Sequence, residues 1–240
     1  MPTTTATTVR DIALAEPASL RVFEQYGIDY CCGGRRPLEE ACVARNVSPA
    51  DVMAAIEAAS NAAPEPAVNW QNASFEDLIA HINDTHHVYL RRELPRLKEL
   101  ASKVIAKHGT KHPEVAVAGS ILAQLSDELL DHLMKEEVVL FPYILQMERS
   151  KQHKDAAPHA CFASVSQPIN MMLFEHDTAG DALAKLRQVT SSYALPADAC
   201  PTFHAFYLGL QELEQDLHLH IHKENNILFP RAEALETSNR

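Results

Sequence analysis

Glycine is scarce in this sequence, and the alternation of β-branched and polar residues that marks strands is nearly absent. Only 7 of the 240 residues are glycine, whereas apolar residues make up 46% of the chain. Strands are enriched in β-branched residues and tight hairpins use glycine-containing turns, so both scarcities argue against a sheet. Ala, Leu and Glu are abundant instead. We therefore predict an all-α fold with a substantial apolar core.

Basic clusters and long apolar runs are also missing. The formal net charge is −11, and Lys and Arg form no cluster beyond short pairs such as Arg35–Arg36 and Arg91–Arg92. We therefore expect no nucleic acid and no membrane as a partner. No run reaches the ~18 apolar residues of a membrane-spanning helix, and the first residues lack the pattern of a signal peptide. Five cysteines, an odd number, do not indicate a disulfide framework, so we expect a reducing, cytoplasmic location.

What the sequence does contain is an internal repeat of eleven residues. HLMKEEVVLFP runs from His132 to Pro142, and HIHKENNILFP runs from His220 to Pro230. In each copy a His and a Glu are four residues apart, which places both side chains on one face of a helix. An imidazole and a carboxylate so placed can bind one transition metal together.

A further histidine precedes each copy at nearly the same distance. His87 lies 45 residues before His132, and His176 lies 44 residues before His220. One His–Glu pair would be typical of an ordinary solvated helix face. Two pairs at matching places, flanked by apolar residues, favour a buried pair of metal ions in a four-helix bundle. The predicted metal ligands are His87, His132, Glu136, His176, His220 and Glu224.

The chain divides into a small helical module, a linker and the bundle. Pro95 is predicted to kink or break the first bundle helix, and Pro142 and Pro230 are predicted to bend or end the second and fourth. The predicted boundaries are 1–60 for the N-terminal helical domain with the DYCCGG loop, 61–73 for the linker and 74–237 for the four-helix bundle.

Cys31 and Cys32 are adjacent in the DYCCGG loop. Adjacent cysteines rarely bond to each other because the ring would be strained. The two following glycines permit a tight turn that leaves the thiols exposed. Two interpretations stay open: reactive thiolates whose pKa is lowered by Arg35 or the next helix N-terminus, or a buried turn of small residues.

The ligand set indicates the metal and its chemistry. Four imidazoles and two bridging carboxylates leave open positions on two octahedral ions for O2, NO, peroxide or water. Mixed ligands of this kind suit iron, manganese or zinc, and iron is our expectation because such bundle sites are often redox centres. Other polar residues nearby are expected either to orient the ligands or to be solvated. These are Glu128, Asp131, Glu175 and Asp177 among the acids, and His81, His86, His218 and His222 among the histidines.

The order His-x3-Glu resembles the hemerythrin-like bundle rather than the ferritin-like one, which uses Glu-x-x-His. The sequence departs from oxygen-carrying hemerythrins at Gly180, where that family has a second His, and at Glu224, where its acid comes one residue later. Reversible O2 carriage is therefore not expected. With DYCCGG before the bundle and ENNILFPRA near its end, the chain resembles the repair-of-iron-centres (ScdA-type) proteins from about Val9 to Ala232.

That resemblance implies a cytoplasmic protein with a bridged centre of two iron ions on the six ligands named above. It implies repair of iron–sulfur clusters damaged by nitrosative or oxidative stress, through iron donation or NO removal, with Cys31 and Cys32 as a functional thiol pair. The expected partners are damaged iron–sulfur proteins, with NO or O2 as small ligands. Alternatives are a nitric oxide reductase and a di-iron protein that senses NO or O2. Whether the N-terminal domain packs in cis or exchanges within a homodimer is left open.

Overall fold

A computed structural model describes residues 5–62, 68–153 and 162–238 of the chain. Within these ranges the backbone is helical, with one isolated antiparallel bridge between Thr8 and Pro37 and no strand. The all-α prediction is therefore confirmed. The α-helices are α1 Val9–Ala15, α2 Ser19–Tyr26, α3 Leu38–Arg45, α4 Pro49–Ala62, α5 Phe75–His81, α6 Val88–His108, α7 Glu114–Lys135, α8 Phe141–His153, α9 Ser166–Val189, α10 Pro201–Lys223 and α11 Phe229–Ser238. Three π-helical segments connect some of them: π1 Ile82–His87, π2 Glu136–Leu140 and π3 Glu224–Leu228.

By its internal contacts the chain forms two compact units. The first comprises Met1–Ser74 and His218–Arg231, and the second comprises Phe75–Leu217 and Ala232–Arg240. The sequence boundaries between the N-terminal domain, linker and bundle stay predictions, and residues 63–67 of the proposed linker lie outside the described ranges.

The first unit is built from short helices with clear end signals. Thr8 caps α1 by accepting the backbone N–H of Asp11 at 3.1 Å. Gly27 ends α2 with a φ of 65°, a left-handed conformation that glycine adopts without strain. The apolar core of this unit also takes in Ile221, from the last turns of α10. Its buried members are Val9, Ile12, Ala13, Val22, Phe23, Ile28, Tyr30, Cys31, Leu38, Cys42, Val52, Ile56 and Ile221.

The second unit contains the bundle core. Helix α7 packs against both α6 and α9, and residues at helical spacing along these helices are fully buried, such as Leu90, Leu94 and Leu97 on α6. Gly209 on α10 permits a close approach, because a Cβ atom there would lie 2.5 Å from Leu97 Cδ2. The bundle helices therefore rest on a continuous apolar interior.

The predictions that prolines break or end helices are wrong, whereas a kink or bend at these prolines stays a prediction. Pro95 lies inside α6, which runs unbroken from Val88 to His108, so it does not break that helix. Helical structure also continues past Pro142 and Pro230, through α8 and α11. The π segments explain this continuation: the N–H of Phe141 bonds to the Glu136 carbonyl five residues back, and Phe229 bonds to Glu224 in the same way. The chain thus lengthens its turns ahead of each proline, which cannot donate.

Candidate metal centre and thiol loop

The π segments coincide with the predicted ligands. His87 is the last residue of π1, Glu136 the first of π2 and Glu224 the first of π3. A π turn holds an extra residue, which shifts the side chains out of the 3.6-residue period, and such turns are frequent at functional sites. The carboxylates and one imidazole are therefore placed by irregular turns, whereas the other three histidines lie on regular α-helix.

Four of the predicted ligands belong to the second unit and are buried together. Glu136 Oε2 lies 3.4 Å from Nε2 of His87 and 3.4 Å from Nε2 of His132. Nε2 of His176 lies 3.1 Å from Nε2 of His132. These residues are at most 3% exposed. A carboxylate and three imidazole Nε2 atoms thus converge in the protein interior, where a buried carboxylate needs a cationic partner.

The other two predicted ligands belong to the first unit. His220 and Glu224 are 1% and 0% exposed, and Nε2 of His220 lies 3.0 Å from Oε1 of Glu224. They are one turn apart, as the i,i+4 spacing predicts. Both copies of the repeat therefore bury their His–Glu pair.

Within the second unit the ligand atoms of His132, Glu136 and His176 all lie within 4.8 Å of one another, and so do those of His87 and Glu136. Within the first unit the same holds for His220 and Glu224. Each unit thus brings imidazole nitrogens together with a carboxylate oxygen, and this donor set fits iron, manganese or zinc.

Two carboxylates contact the Nδ1 atoms of predicted ligand histidines and so orient their imidazoles. Nδ1 of His87 lies 2.7 Å from Glu137 Oε1, and Nδ1 of His132 lies 2.8 Å from Glu175 Oε2. An ionised carboxylate only accepts, so each Nδ1 carries the proton and each Nε2 presents a lone pair. Glu175 was among the acids predicted for this role. Glu137 was missed, although it directly follows the predicted ligand Glu136.

Both carboxylates are held in the ionised form. Burial raises the pKa of Glu137, but hydrogen bonds from Arg91 and His87 outweigh it, and the pKa lies below its ordinary value. For Glu175, burial likewise raises the pKa, while hydrogen bonds from Lys135 and His132 lower it further than burial raises it. Each orienting acid is therefore fixed by a cation as well as by its imidazole.

Other histidines near the predicted ligands are held by polar side chains outside the predicted ligand set. His86 is buried with Nδ1 2.8 Å from Asp216, and His218 Nδ1 lies 2.8 Å from Glu24. Nδ1 of His222 accepts the side-chain amide of Asn226 at 2.9 Å. Among the predicted acids, Glu128 accepts a bond from Gln124. Each of these contacts stabilises the helices of its own unit.

The DYCCGG loop is organised by Asp29. Its Oδ1 accepts the backbone N–H groups of Cys31 at 2.9 Å and Cys32 at 3.0 Å, and its Oδ2 accepts that of Gly33 at 2.9 Å. A Cβ on Gly33 would lie 2.9 Å from Asp29 Oδ2, and one on Gly34 would lie 2.6 Å from the Tyr30 carbonyl. The two glycines are therefore needed for the chain to close over the carboxylate.

The two thiols differ in their surroundings. Their sulfurs are 3.7 Å apart. Cys31 is 5% exposed, which for this thiol favours the buried turn over the exposed thiolate, whereas Cys32 is partly exposed. The hydrogen bond with Cys32, burial and the nearby Asp29 carboxylate raise the pKa of Cys31 well above its ordinary value. Cys31 is therefore a neutral thiol at physiological pH, and Cys32 is the more accessible sulfur.

Two asparagines of π3 hold this loop within the first unit. Asn226 donates its side-chain amide to the Tyr30 carbonyl at 3.0 Å, and Asn225 donates to the Cys31 carbonyl at 3.3 Å. Asn226 is 7% exposed. The residues directly after the ligand Glu224 therefore fix the backbone of the thiol pair.

The comparisons with known proteins agree with this geometry. The hemerythrin HHE cation-binding domain matches residues 78–232, and the ScdA_N domain, a domain of unknown function, matches residues 5–60. None of the helices in the described ranges is long and apolar enough to cross a membrane. The chain thus has a hemerythrin-like cation-binding bundle, and its buried histidines and carboxylates indicate that it binds iron or another metal.

Several curated proteins are similar over nearly their whole length. A probable iron–sulfur cluster repair protein of Haemophilus influenzae is 35% identical over 92% of this chain and 94% of its own. The iron–sulfur cluster repair protein YtfE of Musicola paradisiaca is 37% identical over 92% and 94%, and that of Escherichia coli O81 is 38% identical over 94% and 96%. The chain belongs to this family of iron–sulfur cluster repair proteins.

Proposed function

We propose that this protein carries a carboxylate-bridged centre of two iron ions and uses it to repair damaged iron–sulfur clusters in other proteins. The observation that carries the proposal is the burial of both His–Glu pairs of the repeat: Glu136 lies among imidazoles in the second unit, and Glu224 lies beside His220 in the first. The names of the similar proteins support the repair activity. When bound, the two ions would supply redox chemistry and positions for NO or O2.

The protein's own residues prepare the centre. Glu137 and Glu175 hold the Nδ1 protons of His87 and His132, so that both Nε2 lone pairs face Glu136. Burial of the ligands excludes water and strengthens their interaction with a cation. The site is therefore preorganised for metal before any ion arrives.

The thiol pair is proposed as the functional sulfur site. Asp29 and the two asparagines of π3 fix its backbone, and Cys32 is the more accessible thiol. Thiolates bind iron, and thiols donate electrons when they are oxidised, so the pair is suited to pass iron or electrons to a damaged cluster. A reducing, cytoplasmic location fits reduced thiols at these positions.

The first experiment measures metal per chain and the optical spectrum of anaerobically purified protein. About two irons per chain are expected from the six predicted ligands. The near-ultraviolet charge-transfer bands should disappear in Glu136→Ala plus Glu224→Ala. Glu128 also lies on α7, but its carboxylate accepts a hydrogen bond from Gln124. Glu128→Ala is therefore the matched control and should keep both the iron content and the charge-transfer bands. Absent metal, or zinc that is indifferent to both glutamates, would overturn the bridged di-iron centre.

The second experiment tests repair itself. A purified iron–sulfur enzyme inactivated by NO or peroxide is incubated with the wild-type protein, and its recovered activity is measured. Cys31→Ala plus Cys32→Ala should keep the di-iron spectrum but lower the recovery. Unchanged recovery in that variant would remove the thiol pair from the mechanism. Steady multiple-turnover release of N2O would point instead to a nitric oxide reductase.

A further inference from the structure

Another sulfur site lies in the second unit, at the start of α10. Cys200 directly precedes the helix, and its carbonyl accepts the backbone N–H of His204 at 3.0 Å. The backbone N–H groups of Phe203 and Thr202 lower the pKa of its thiol. The unsatisfied N–H groups of a helix N-terminus carry partial positive charge, so this position favours a thiolate.

A buried histidine is aimed at the same sulfur. Nε2 of His108, at the end of α6, lies 3.2 Å from Sγ of Cys200. His108 is 9% exposed, and its ring packs against Phe203 with the centroids 5.3 Å apart. Packing thus fixes the imidazole, whereas Cys200 is only partly buried and can be reached. An imidazole within hydrogen-bond reach of a thiol is the arrangement that activates nucleophilic cysteines.

The polar and charged side chains near Cys200 pair with one another and not with its sulfur. His112 Nε2 lies 3.0 Å from Asp198 Oδ1, and its Nδ1 lies 3.2 Å from Glu114. Lys111 bonds to the other oxygen of Asp198 at 2.6 Å. His108 is therefore the side chain that contacts the Cys200 sulfur, and the four others form their own network.

The pair is suited to nucleophilic attack. The Phe203 backbone N–H and the His108 imidazole lower the pKa of Cys200 from 9.0 to about 7. Thiols attack disulfides best when their pKa is near the ambient pH. Among the described residues, Cys200 and His108 join no cluster of three ligand atoms within 4.8 Å, so the pair does not have the form of a metal site.

We propose that Cys200 and His108 form a thiol–disulfide exchange site for low-molecular-weight disulfides. The Cys200 thiolate attacks one sulfur of the small disulfide, whose S–S bond breaks as a new S–S bond forms to Cys200. The departing half leaves as a thiolate and takes the proton of the His108 imidazolium. Cys200 is oxidised, the departing half is reduced, and no other oxidant is needed. This inference does not rest on the proposed repair function.

Glutathione disulfide is the probe for the first test. Peptide mapping of the full chain should find one glutathione on Cys200, with one equivalent of glutathione released, and Cys200→Ser should show none at that peptide. Iron content of Cys200→Ser should equal that of wild type, which separates this site from the metal centre. Glutathione on other cysteines with none on Cys200 would overturn the proposal.

The second test follows alkylation of Cys200 by iodoacetamide against pH, resolved by peptide. The wild-type rate should have its midpoint at about pH 7. In His108→Gln the midpoint should move toward 9.0, the ordinary value. His112→Gln, which loses the contacts to Asp198 and Glu114, should keep the wild-type midpoint. A wild-type midpoint near pH 9 would refute the Cys200–His108 pair, even if His108→Gln failed to fold. A folded His108→Gln with the wild-type midpoint would also refute it.

Discussion

Replacing Glu137 by alanine tests whether the carboxylates behind the imidazoles are part of the metal centre. The change removes the acceptor 2.7 Å from Nδ1 of His87 while leaving every predicted ligand in place. The imidazole then loses the group that fixes its tautomer and its ring orientation. Removal of such a partner typically lowers metal affinity about 10- to 100-fold, which corresponds to about 1.4–2.8 kcal/mol.

For Glu137→Ala, the structure indicates a loss of metal affinity in the upper part of that range. Its carboxylate is 29% exposed, and it is held by two bonds from Arg91, each 2.8 Å long, so it is a fixed and ionised acceptor. Glu137→Gln keeps an oxygen that can accept from Nδ1 but loses the charge, so its effect should be smaller. Glu175→Ala is the counterpart at His132 and should also lower the affinity for iron.

The assay is an anaerobic competition between the protein and a chromophoric iron chelator. Glu137→Ala should release iron at chelator concentrations roughly tenfold lower or more, and saturating iron should restore the wild-type stoichiometry. Glu128→Ala, whose carboxylate accepts from Gln124, serves as the control and should match wild type. A Glu137→Ala curve that superimposes on wild type, in a protein with an unchanged helical spectrum, would refute the reasoning.

Two further changes test the stability of each unit by urea denaturation. Asn226→Ala leaves the Tyr30 carbonyl without its buried donor and should cost about 1–3 kcal/mol, whereas Asn225→Ala, whose bond is 3.3 Å long and less buried, should cost less; equal costs would contradict the ranking. Gly209→Ala brings a Cβ to 2.5 Å from Leu97 Cδ2 and should cost about 1–3 kcal/mol through overpacking. An unchanged midpoint there would mean that α6 and α10 separate without penalty.

Local patterns in the sequence predicted which His and Glu side chains are buried beside each other, and their role as metal ligands stays a prediction. Contacts between residues far apart in the chain could not be predicted. The pairs His132–Glu136 and His220–Glu224 could be found because i,i+4 spacing is a property of one helix and because the repeat shows it twice. Glu137 was missed because its partner, His87, lies 50 residues away. No spacing rule indicates which of several acids on a helix meets an imidazole on another.

The prolines and the thiol loop show a second limit. Reading Pro142 as a helix end assumes that the i→i−4 ladder continues up to it, but the Phe141 N–H reaches Glu136 instead. The two glycines after Cys31 were compatible with either an exposed or a buried thiol, and in the structure the chain folds over Asp29 and Cys31 is buried. In both cases the outcome was decided by a hydrogen-bond pattern that only the folded backbone reveals.

The two copies of the repeat differ in the residues that follow the shared glutamate. The next position is Glu137 in one copy and Asn225 in the other, and the one after it is Val138 and Asn226. Glu137 contacts the His87 imidazole, while the asparagines hold the cysteine backbone. The same helical frame therefore supports an imidazole of the candidate metal centre in one copy and the thiol loop in the other.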